Sequence, residues 1–338
     1  MICRRFRPED KAAVLSVLGA SYGGWHGEEN EAFWTWKFER NPHGQARIYV
    51  GDDGGRIAGC YILNPVMLRV GEATIRGAQA VDAAVSPDYR GRGVFTDLAQ
   101  TALKEADDEG IKVIFAFPRQ GAFGGQVRVG FKPHMVVPKA YRPLLGPTRR
   151  RRFAGLTLGE ANMFDARFDV FSKRGRDCEV SVQRDRDFLQ WRYHEHPTQT
   201  YETLTCERDG EICGYSVLTV KATRKLSSPG YVVDLQVSPE SKSAAMFLAY
   251  HSLRHLRSVG AGVAVSWERP SGTEQEALRS VGFSSRYASI RRRLTRPTYV
   301  DQLIVFEAED KARREARPNC GVADSLRWSL VPGDADYI

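Results

Sequence analysis

The feature that most constrains the fold of this chain is an internal repeat. Residues 33–63 read FWTWKFERNPHGQARIYVGDDGGRIAGCYIL, and residues 188–218 read FLQWRYHEHPTQTYETLTCERDGEICGYSVL. The two segments align at a constant offset and share residues of rare types. The identical pairs include Phe33 with Phe188, Trp36 with Trp191, Pro42 with Pro197 and Gly59 with Gly214. With a small change of offset the match continues to a Ser-Pro pair in each half, which indicates a duplicated domain.

Each copy contains the same predicted order of strands and helices. Two alternating strands flank an acidic-glycine turn, GDDGGRIAG in the first copy and ERDGEICG in the second, as in a β-hairpin. A further strand ends at Ser-Pro, and an amphipathic helix, a short apolar strand and a second helical segment ending in VGF follow it. This pattern predicts a mixed sheet with helices between its strands, an α/β or α+β fold formed twice. We expect an N-terminal domain at 1–145, a linker at 146–165 and a C-terminal domain at 166–338.

The composition is that of a globular protein. The 338 residues suffice for two domains with separate cores, and 42% of them are hydrophobic. The N-terminus lacks the apolar segment of a signal peptide, and no apolar run reaches the length of a membrane helix. We therefore expect a soluble, cytoplasmic protein. The six cysteines are scattered without a CxxC pair, which indicates reduced thiols and no metal site.

The net charge of +8 predicts an anionic partner, which could be nucleic acid, lipid or a phosphorylated cofactor. Much of the excess lies in two basic runs, TRRRR at 148–152 and RRR at 291–293. Neither run is interleaved with aromatic residues in the way of single-stranded nucleic-acid platforms. We interpret both as solvated surface, and we expect neither nucleic acid nor a membrane as a partner.

An arginine- and glycine-rich turn joins a predicted strand to a predicted helix in the stretch AAVSPDYRGRGVFTDLAQTALKEA. The start of a helix presents unpaired amides and a positive dipole, both of which attract phosphate. Gly91 and Gly93 let the backbone bend tightly and approach an anion without a Cβ in the way. Arg90 and Arg92 add charged donors, and Thr96 adds a hydroxyl. The turn therefore indicates a diphosphate site, although its spacing fits neither a dinucleotide fingerprint nor a P-loop.

The stretch AVSPDYRGRGVFTDL resembles motif A of the GNAT superfamily of acyl-CoA-dependent N-acyltransferases, in which R/Q-x-x-G-x-G/A cradles the pyrophosphate of coenzyme A. Arg90 takes the first position and Gly93 the second, whereas Phe95 stands at the third, which is normally Gly or Ala. The cluster FWTWKFERNPHG, the strand end FAFP and the closing GDAD resemble two-copy bacterial members. The resemblance implies tandem GNAT folds, each a mixed, mainly antiparallel sheet flanked by helices.

Acetyl-CoA or another acyl-CoA is the co-substrate that the resemblance implies, without a metal. The residues that it implies for coenzyme binding are Ala84, Val85, Arg90, Gly91, Arg92, Gly93, Val94, Phe95 and Thr96. At the corresponding turn the second copy reads SPESKSAAMF, with no glycine, so the close backbone approach is lost there. We therefore expect one coenzyme site, in the N-terminal copy.

The resemblance also implies where the chemistry takes place. The fourth strand, AQAVDAAV, would separate from the fifth, IKVIFAFP, and the pantetheine arm would pair with its free edge, so that the Ala83 amide faces the thioester oxygen. Asp82, in an otherwise apolar strand, is a candidate base or acceptor contact, with a structural anchor as the alternative. Phe117 and Arg119, at the end of strand five, are candidates for binding the substrate; a surface salt bridge is the alternative for Arg119.

The proton donor to the departing thiolate is the weakest element of this interpretation. Many family members use a tyrosine after strand five. From Phe117 to Phe131 this sequence reads FPRQGAFGGQVRVGF, with Phe123 near the position where a tyrosine is expected. A water molecule, or Tyr141 from elsewhere in the chain, would have to supply the proton.

Two other clusters have simpler interpretations. The aromatic and basic residues Phe33, Trp36, Lys37 and Phe38 recur in the second copy at helical spacing, which favours core and cap packing over a ligand cage. The HEH motif at 194–196 has no equivalent histidine pair in the first copy, and we do not interpret it as a metal site.

The leading hypothesis for function is an N-acyltransferase. It would move an acyl group, most simply acetyl, from acyl-CoA to the primary amine of a small polar acceptor, such as an amino sugar or antibiotic amine, by direct attack in a ternary complex. One alternative is an aminoacyl-tRNA-dependent transferase of the Fem type. The positive net charge favours this alternative, whereas the glycine turn, which indicates a coenzyme site, argues against it. The other alternative is a non-catalytic coenzyme A-binding module. The absence of a tyrosine between Phe117 and Phe131 favours it, because a catalytic member would need a proton donor there.

Overall fold

The computed structural model describes residues 1–145, 151–174, 179–221, 228–239, 241–269, 271–286, 301–308 and 327–334. The basic run at 291–293, most of the run at 148–152, and Cys178 and Cys320 lie outside these residues. The chain forms two compact units. The first comprises Met1–Val136, Cys178–Gln183 and Asp301–Trp328, and the second comprises Val137–Asp177, Arg184–Val300 and Ser329–Ile338.

The strands and helices occur in the order that the duplication predicts. In chain order the strands are β1 (Ile2–Arg5), β2 (Arg47–Asp53), β3 (Arg56–Val70), β4 (Ala73–Val85), β5 (Val113–Ala116), β6 (Lys132–Val137), β7 (Lys139–Pro143), β8 (Thr157–Glu160), β9 (Glu179–Val182), β10 (Glu202–Arg208), β11 (Glu211–Val220), β12 (Ser228–Val237), β13 (Ala261–Trp267), β14 (Asp301–Glu307) and β15 (Arg327–Trp328). The α-helices are α1 (Lys11–Tyr22), α2 (Asn30–Trp34), α3 (Val94–Asp108), α4 (Gln120–Arg128), α5 (Ala166–Ser172), α6 (Arg186–Leu189), α7 (Lys242–Ser258) and α8 (Thr273–Ser280).

Each unit is built on one mixed, mainly antiparallel sheet, which confirms the predicted fold class. The first sheet has the order β1-β2-β3-β4-β5-β14-β6, with β9 also paired to β3 and β15 paired to β9. The second has the order β7-β13-β12-β11-β10-β8. In each sheet the fourth and fifth strands of the repeat, β4 with β5 and β12 with β13, form a parallel pair. The strand order that the two sheets share is what a duplicated domain requires.

The two sheets also exchange a strand. Beside β5 of the first unit lies β14, which comes from near the end of the chain, and beside β13 of the second unit lies β7, which precedes the second repeat. The continuous domains expected at 1–145 and 166–338 did not anticipate this exchange. The segment expected as a linker, 146–165, contributes β8 to the second sheet. Strand pairing between distant segments leaves no local signal in the sequence.

The helix after the Ser-Pro motif forms as its apolar stripe predicts. α3 begins after Gly93 and ends before Gly110, whose φ of +80° stops it. Leu98, Ala102 and Ala106 are fully buried on the face that meets the sheet. A short π-helical turn follows both α2 and α6, at Thr35–Glu39 and Gln190–His194, so even this irregularity is duplicated. No helix within the described ranges combines the length and the apolar character needed to cross a bilayer.

Candidate active site

β4 and β5 pair over only part of their length. The hydrogen-bonded pairs join Gly77–Gln79 of β4 to Val113–Phe115 of β5. β4 continues through Ala80–Val85 beyond the last of these pairs, while its other edge stays paired with β3. This segment of β4 therefore has a backbone edge that β5 does not use, which an extended ligand could pair with.

A β-bulge interrupts β4 at Asp82. Cys60 of β3 pairs with Ala84 and Ile62 pairs with Val81, so β4 has one extra residue between these pairs. Asp82 has a φ of +43°, in the left-handed region that residues other than glycine rarely adopt. A bulge of this kind bends a strand and changes the direction of its side chains, and strained backbone of this kind is concentrated at functional sites.

The Asp82 carboxylate is held by two donors. Its Oδ2 forms an ion pair with the Nζ of Lys37, and the Nε1 of Trp25 donates to its Oδ1 at 3.2 Å. The Lys37 side chain is 2% exposed and that of Asp82 is 12% exposed. The sequence suggested a carboxylate among apolar neighbours, whereas the structure gives it a buried ammonium partner. Neither Lys37 nor Trp25 was predicted to belong to the site.

The aromatic cluster of the first copy surrounds this ion pair. The Nζ of Lys37 lies 5.4 Å from the ring centre of Phe33 and 5.3 Å from that of Phe38. Both rings are buried; Phe33 packs edge-on against Trp25, and Phe38 stacks parallel to it. The aromatic residues of the cluster therefore pack in the core, as their spacing predicted. Lys37 differs, because it forms an ion pair with Asp82 that the helical spacing did not predict.

A tyrosine lies against the bulge. Tyr22, the last residue of α1, donates its hydroxyl to the carbonyl oxygen of Ala83 at 3.0 Å. The guanidinium of Arg119 lies over the Tyr22 ring, 5.3 Å from its centre. Sequence reasoning missed Tyr22 because it looked for a tyrosine after strand five. The only available signal was ASYGGWHG, in which a tyrosine precedes the two glycines that end a helix.

Three other predicted residues occupy different surroundings. Phe117 is buried and packs edge-on against Phe115, with the ring centres 6.2 Å apart. Phe123 packs at the margin of the first unit's core. Tyr141 lies in β7 of the second unit, where it pairs with Val265 of β13.

The predicted phosphate turn lies between β4 and α3. Gly91 and Gly93 have φ values of +76° and +82°, and a Cβ on either would meet no atom within 4 Å. Arg90 and Arg92 are exposed. The first internal bond of α3 runs from the amide of Asp97 to the Gly93 carbonyl.

This turn fits a diphosphate. The glycines leave open space in front of the backbone, and the first-turn amides of Val94, Phe95 and Thr96 precede the first internal hydrogen bond of the helix. Two exposed arginines lie in the same loop. At the strand end, Ala84 is buried, and the carbonyl of Val85 already accepts from the Nε of Arg90 at 3.3 Å.

Comparison with known proteins agrees with this geometry. Residues 3–132 match the family model described as an acetyltransferase (GNAT) domain. The first unit therefore contains a GNAT acetyltransferase domain. GNAT enzymes use acetyl-CoA as a co-substrate, and the matched segment contains both the glycine turn and the β4 edge. No curated protein sequence matches the chain significantly.

Solved structures show that the GNAT fold extends over both units. A probable N-acyltransferase from Enterococcus faecalis V583 has a TM-score of 0.68 at 12% identity, over 90% of this chain and 72% of its own. A GCN5-related N-acetyltransferase from Anabaena variabilis has a TM-score of 0.67 at 15% identity, over the same shares. A tandem GNAT protein from the clavulanic acid biosynthesis pathway has a TM-score of 0.59 at 15% identity, over 92% of this chain and 99% of its own.

The departure from the GNAT motif at Phe95 has a structural explanation. The Phe95 ring packs edge-on against Tyr61, with centres 5.8 Å apart, rather than standing in the turn. A Cβ at Gly125 of α4 would lie 2.7 Å from this ring. The large residue on α3 therefore faces a small one on α4. Tyr61 is buried and donates to Gln126 at 2.9 Å.

In the second GNAT unit, buried charged side chains occupy the position equivalent to the bulge at Asp82. Its fourth strand, β12, has a matching bulge, and Asp234 occupies the position of Asp82. Asp234 is fully buried and binds Arg184 at 2.9 Å, and Arg184 also binds Asp334 at 2.6 Å. Burial raises the pKa of Asp334, which the Arg184 charge opposes. In the second unit, a buried network of Arg184, Asp234 and Asp334 thus occupies the position that the Lys37–Asp82 ion pair holds in the first unit.

No cluster of three metal-ligating side chains occurs among the residues that the structure describes.

Proposed function

We propose that the first unit transfers an acyl group, most simply acetyl, from acyl-CoA to the primary amine of a small polar acceptor. One observation carries the proposal: the edge of β4 that β5 does not pair with ends at Val85, and the glycine turn with Gly91 and Gly93 follows it directly in the chain. A diphosphate at the turn and an extended arm along the strand would then be continuous.

Binding of the co-substrate would use backbone groups more than side chains. The amides of the Gly91–Thr96 segment would receive the pyrophosphate, with Arg90 and Arg92 supplying charge. The backbone of Ala83–Val85 would pair with the amides of the pantetheine arm. An amide at the bulge would donate to the thioester oxygen as negative charge develops there.

Asp82 would serve the attacking amine. In the reaction the amine nitrogen bonds to the thioester carbon, the carbon–sulfur bond breaks, the amine loses a proton and the thiolate gains one. Because the Asp82 carboxylate is oriented by Lys37 and Trp25, it can hold the acceptor ammonium and take its proton directly or through water. An amino sugar or an antibiotic amine would meet these requirements.

Tyr22 would supply the proton to the thiolate. Its hydroxyl already lies within hydrogen-bond distance of the Ala83 carbonyl, at the strand segment where the thioester is expected. The Arg119 guanidinium over the ring would stabilise the phenolate that forms when the proton leaves. This assignment replaces Tyr141, which lies in the second unit, as the candidate donor.

The proposal is tested by ligand-dependent stability and by thiol release. The full chain would be heated with acetyl-CoA, longer acyl-CoAs, free CoA or bulk tRNA; a ligand at a hundred times its Kd stabilises a protein by about 2.7 kcal/mol. We expect stabilisation by the coenzymes and a weaker effect in the R90A/R92A variant, with R128A as a control arginine on α4.

An amine panel then distinguishes the alternatives. Release of free thiol from acetyl-CoA in the presence of an amino sugar supports the acyltransferase. Stabilisation by CoA without thiol release for any amine would favour a coenzyme-binding module. Stabilisation by tRNA alone would favour an aminoacyl-tRNA-dependent transferase.

A further inference from the structure

The second unit contains a polar cavity away from its fourth and fifth strands. The cavity has a volume of about 310 Å³, which is in the range of small-molecule sites. It lies where β8 ends and β10 begins, beside the π-helical turn at Gln190–His194. β8 is an edge strand that β10 and β11 separate from β12. Tyr193, which also lines the cavity, donates to Asp234 at 3.0 Å. The residues that the argument uses are Glu160, Ala161, His194, Glu202 and Thr203.

The equivalent position in the first unit can be compared directly, because aromatic side chains occupy it. The amide of Ala161 donates to the Thr203 carbonyl at 2.9 Å, as the amide of Phe6 donates to the Ile48 carbonyl at 2.9 Å. Ala161 therefore corresponds to Phe6, whose ring packs against Trp34 at 5.5 Å between centres.

The residue that corresponds to Trp34 is also smaller. Trp34 ends α2 directly before its π-helical turn, and Leu189 ends α6 directly before the equivalent turn. Two aromatic rings of the first unit are thus replaced by an alanine and a leucine in the second. Of these two smaller residues, Ala161 lines the cavity.

Two buried polar atoms beside the cavity lack hydrogen-bond partners. Glu39 accepts from the indole of Trp34 at 2.8 Å, whereas the Nε2 of His194, at the position of Glu39, is buried without a hydrogen-bond partner. Thr203 replaces Ile48, is 3% exposed, and its hydroxyl also has no partner. A buried polar atom without a hydrogen-bond partner destabilises the protein. Both groups belong to residues that line the cavity, and a small rotation would present them to a hydroxylated ligand.

The cavity is negatively charged. Glu160 and Glu202 line it, and the described lining residues include no lysine or arginine. Glu202 also contacts the Nε2 of His255 at 2.6 Å, so Glu160 contributes the carboxylate charge that this contact does not share. Burial lowers the pKa of His194, which keeps it neutral at pH 7. The Nδ1 of His196 accepts from the amides of Thr198 and Gln199, so that nitrogen carries no proton. A cation is therefore favoured over an anion.

We propose that this cavity binds a small protonated amine that carries hydroxyl groups, with the ammonium at Glu160 and Glu202 and the hydroxyls at Thr203 and His194. The inference rests on the second unit alone and does not depend on the acyltransferase proposed for the first.

The test uses the full chain with 15N-labelled histidine and two matched probes, glucosamine and glucose, without coenzyme. The His194 signals are assigned with an H194Q variant. We expect millimolar glucosamine to shift these signals and glucose, which has a hydroxyl in place of the ammonium, to leave them unchanged. In the E160Q/E202Q variant we expect binding to weaken by roughly tenfold or more, about 1.4 kcal/mol.

A variant that copies the first unit makes the test specific. A161F should abolish the glucosamine shift while thermal stabilisation by acetyl-CoA, a property of the other unit, is retained. T203V, which changes no volume, provides a second variant if A161F folds poorly, and should weaken glucosamine binding roughly fivefold. Equal shifts with glucose and glucosamine, no shift with either, or an unchanged shift in A161F or T203V would overturn the proposal.

Discussion

At the scale of single residues, the site depends on side chains that approach β4 from segments far away in sequence. Lys37 and Trp25 hold Asp82, and Tyr22 donates to Ala83. Asp82 and Ala83 were predicted because they lie next to a recognisable motif. Their partners were not, because contacts between distant segments leave no pattern in the sequence.

The Lys37–Asp82 pair provides a stability prediction. Lys37→Met leaves a buried carboxylate without its partner, which costs about 3–5 kcal/mol in comparable pairs. The K37M/D82N double variant removes both charges, so we expect it to be more stable than K37M alone. Urea unfolding of the full chain measures this; losses that simply add would show that the two charges do not interact.

A second residue-scale prediction concerns Tyr22. If its hydroxyl protonates the leaving thiolate, Y22F should lower kcat by roughly a hundredfold with little change in KM for acetyl-CoA. A thioester of an acidic aromatic thiol needs less protonation and should recover most of the loss, whereas Y141F should behave as wild type. An equal loss with both thioesters would assign Tyr22 a structural role only.

At the scale of elements, the strand-turn-helix unit is the part that the sequence predicts best. The stretch from β4 through Gly93 to α3 is contiguous, so its glycines, arginines and apolar stripe all carry local information. The bulge in β4 is less visible, since nothing in AQAVDAAV marks Asp82 for a positive φ. The packing of Phe95 on Gly125 was also unpredicted, because it joins two helices.

The packing of α3 on α4 can be tested directly. G125A places a methyl group within 2.7 Å of the Phe95 ring, and overpacking of this kind costs about 1–3 kcal/mol. Adding F95A should relieve the clash, so G125A should be less harmful in the F95A background than in wild type. Thermal unfolding of the four proteins measures the coupling; G121A, where a Cβ meets no atom, is the matched control.

At the scale of the whole molecule, duplication produced two copies of one fold with different interiors. The first copy keeps a glycine turn and an ion pair at the bulge, and the second fills the bulge with Arg184, Asp234 and Asp334. The repeat was evident from aligned residues. The exchange of β7 and β14 between the sheets was not, because each pairs with a strand far away along the chain.

This asymmetry predicts which variants affect coenzyme binding. G93A adds a Cβ to a backbone with a φ of +82°, which costs about 1–2 kcal/mol, and removes the close approach to the pyrophosphate. We expect it to lose most of the stabilisation by acetyl-CoA. S238A, at the equivalent turn of the second unit, should retain that stabilisation in the same thermal assay.

The central claim is that only the first unit holds the coenzyme. A crystal structure of the full chain with coenzyme A tests it most directly. We predict density for the pyrophosphate at Gly91 and Gly93 and for the pantetheine arm along Ala83–Val85, between β4 and β5. Density for coenzyme A beside β12 and β13 instead, or at the start of α7, would contradict the account.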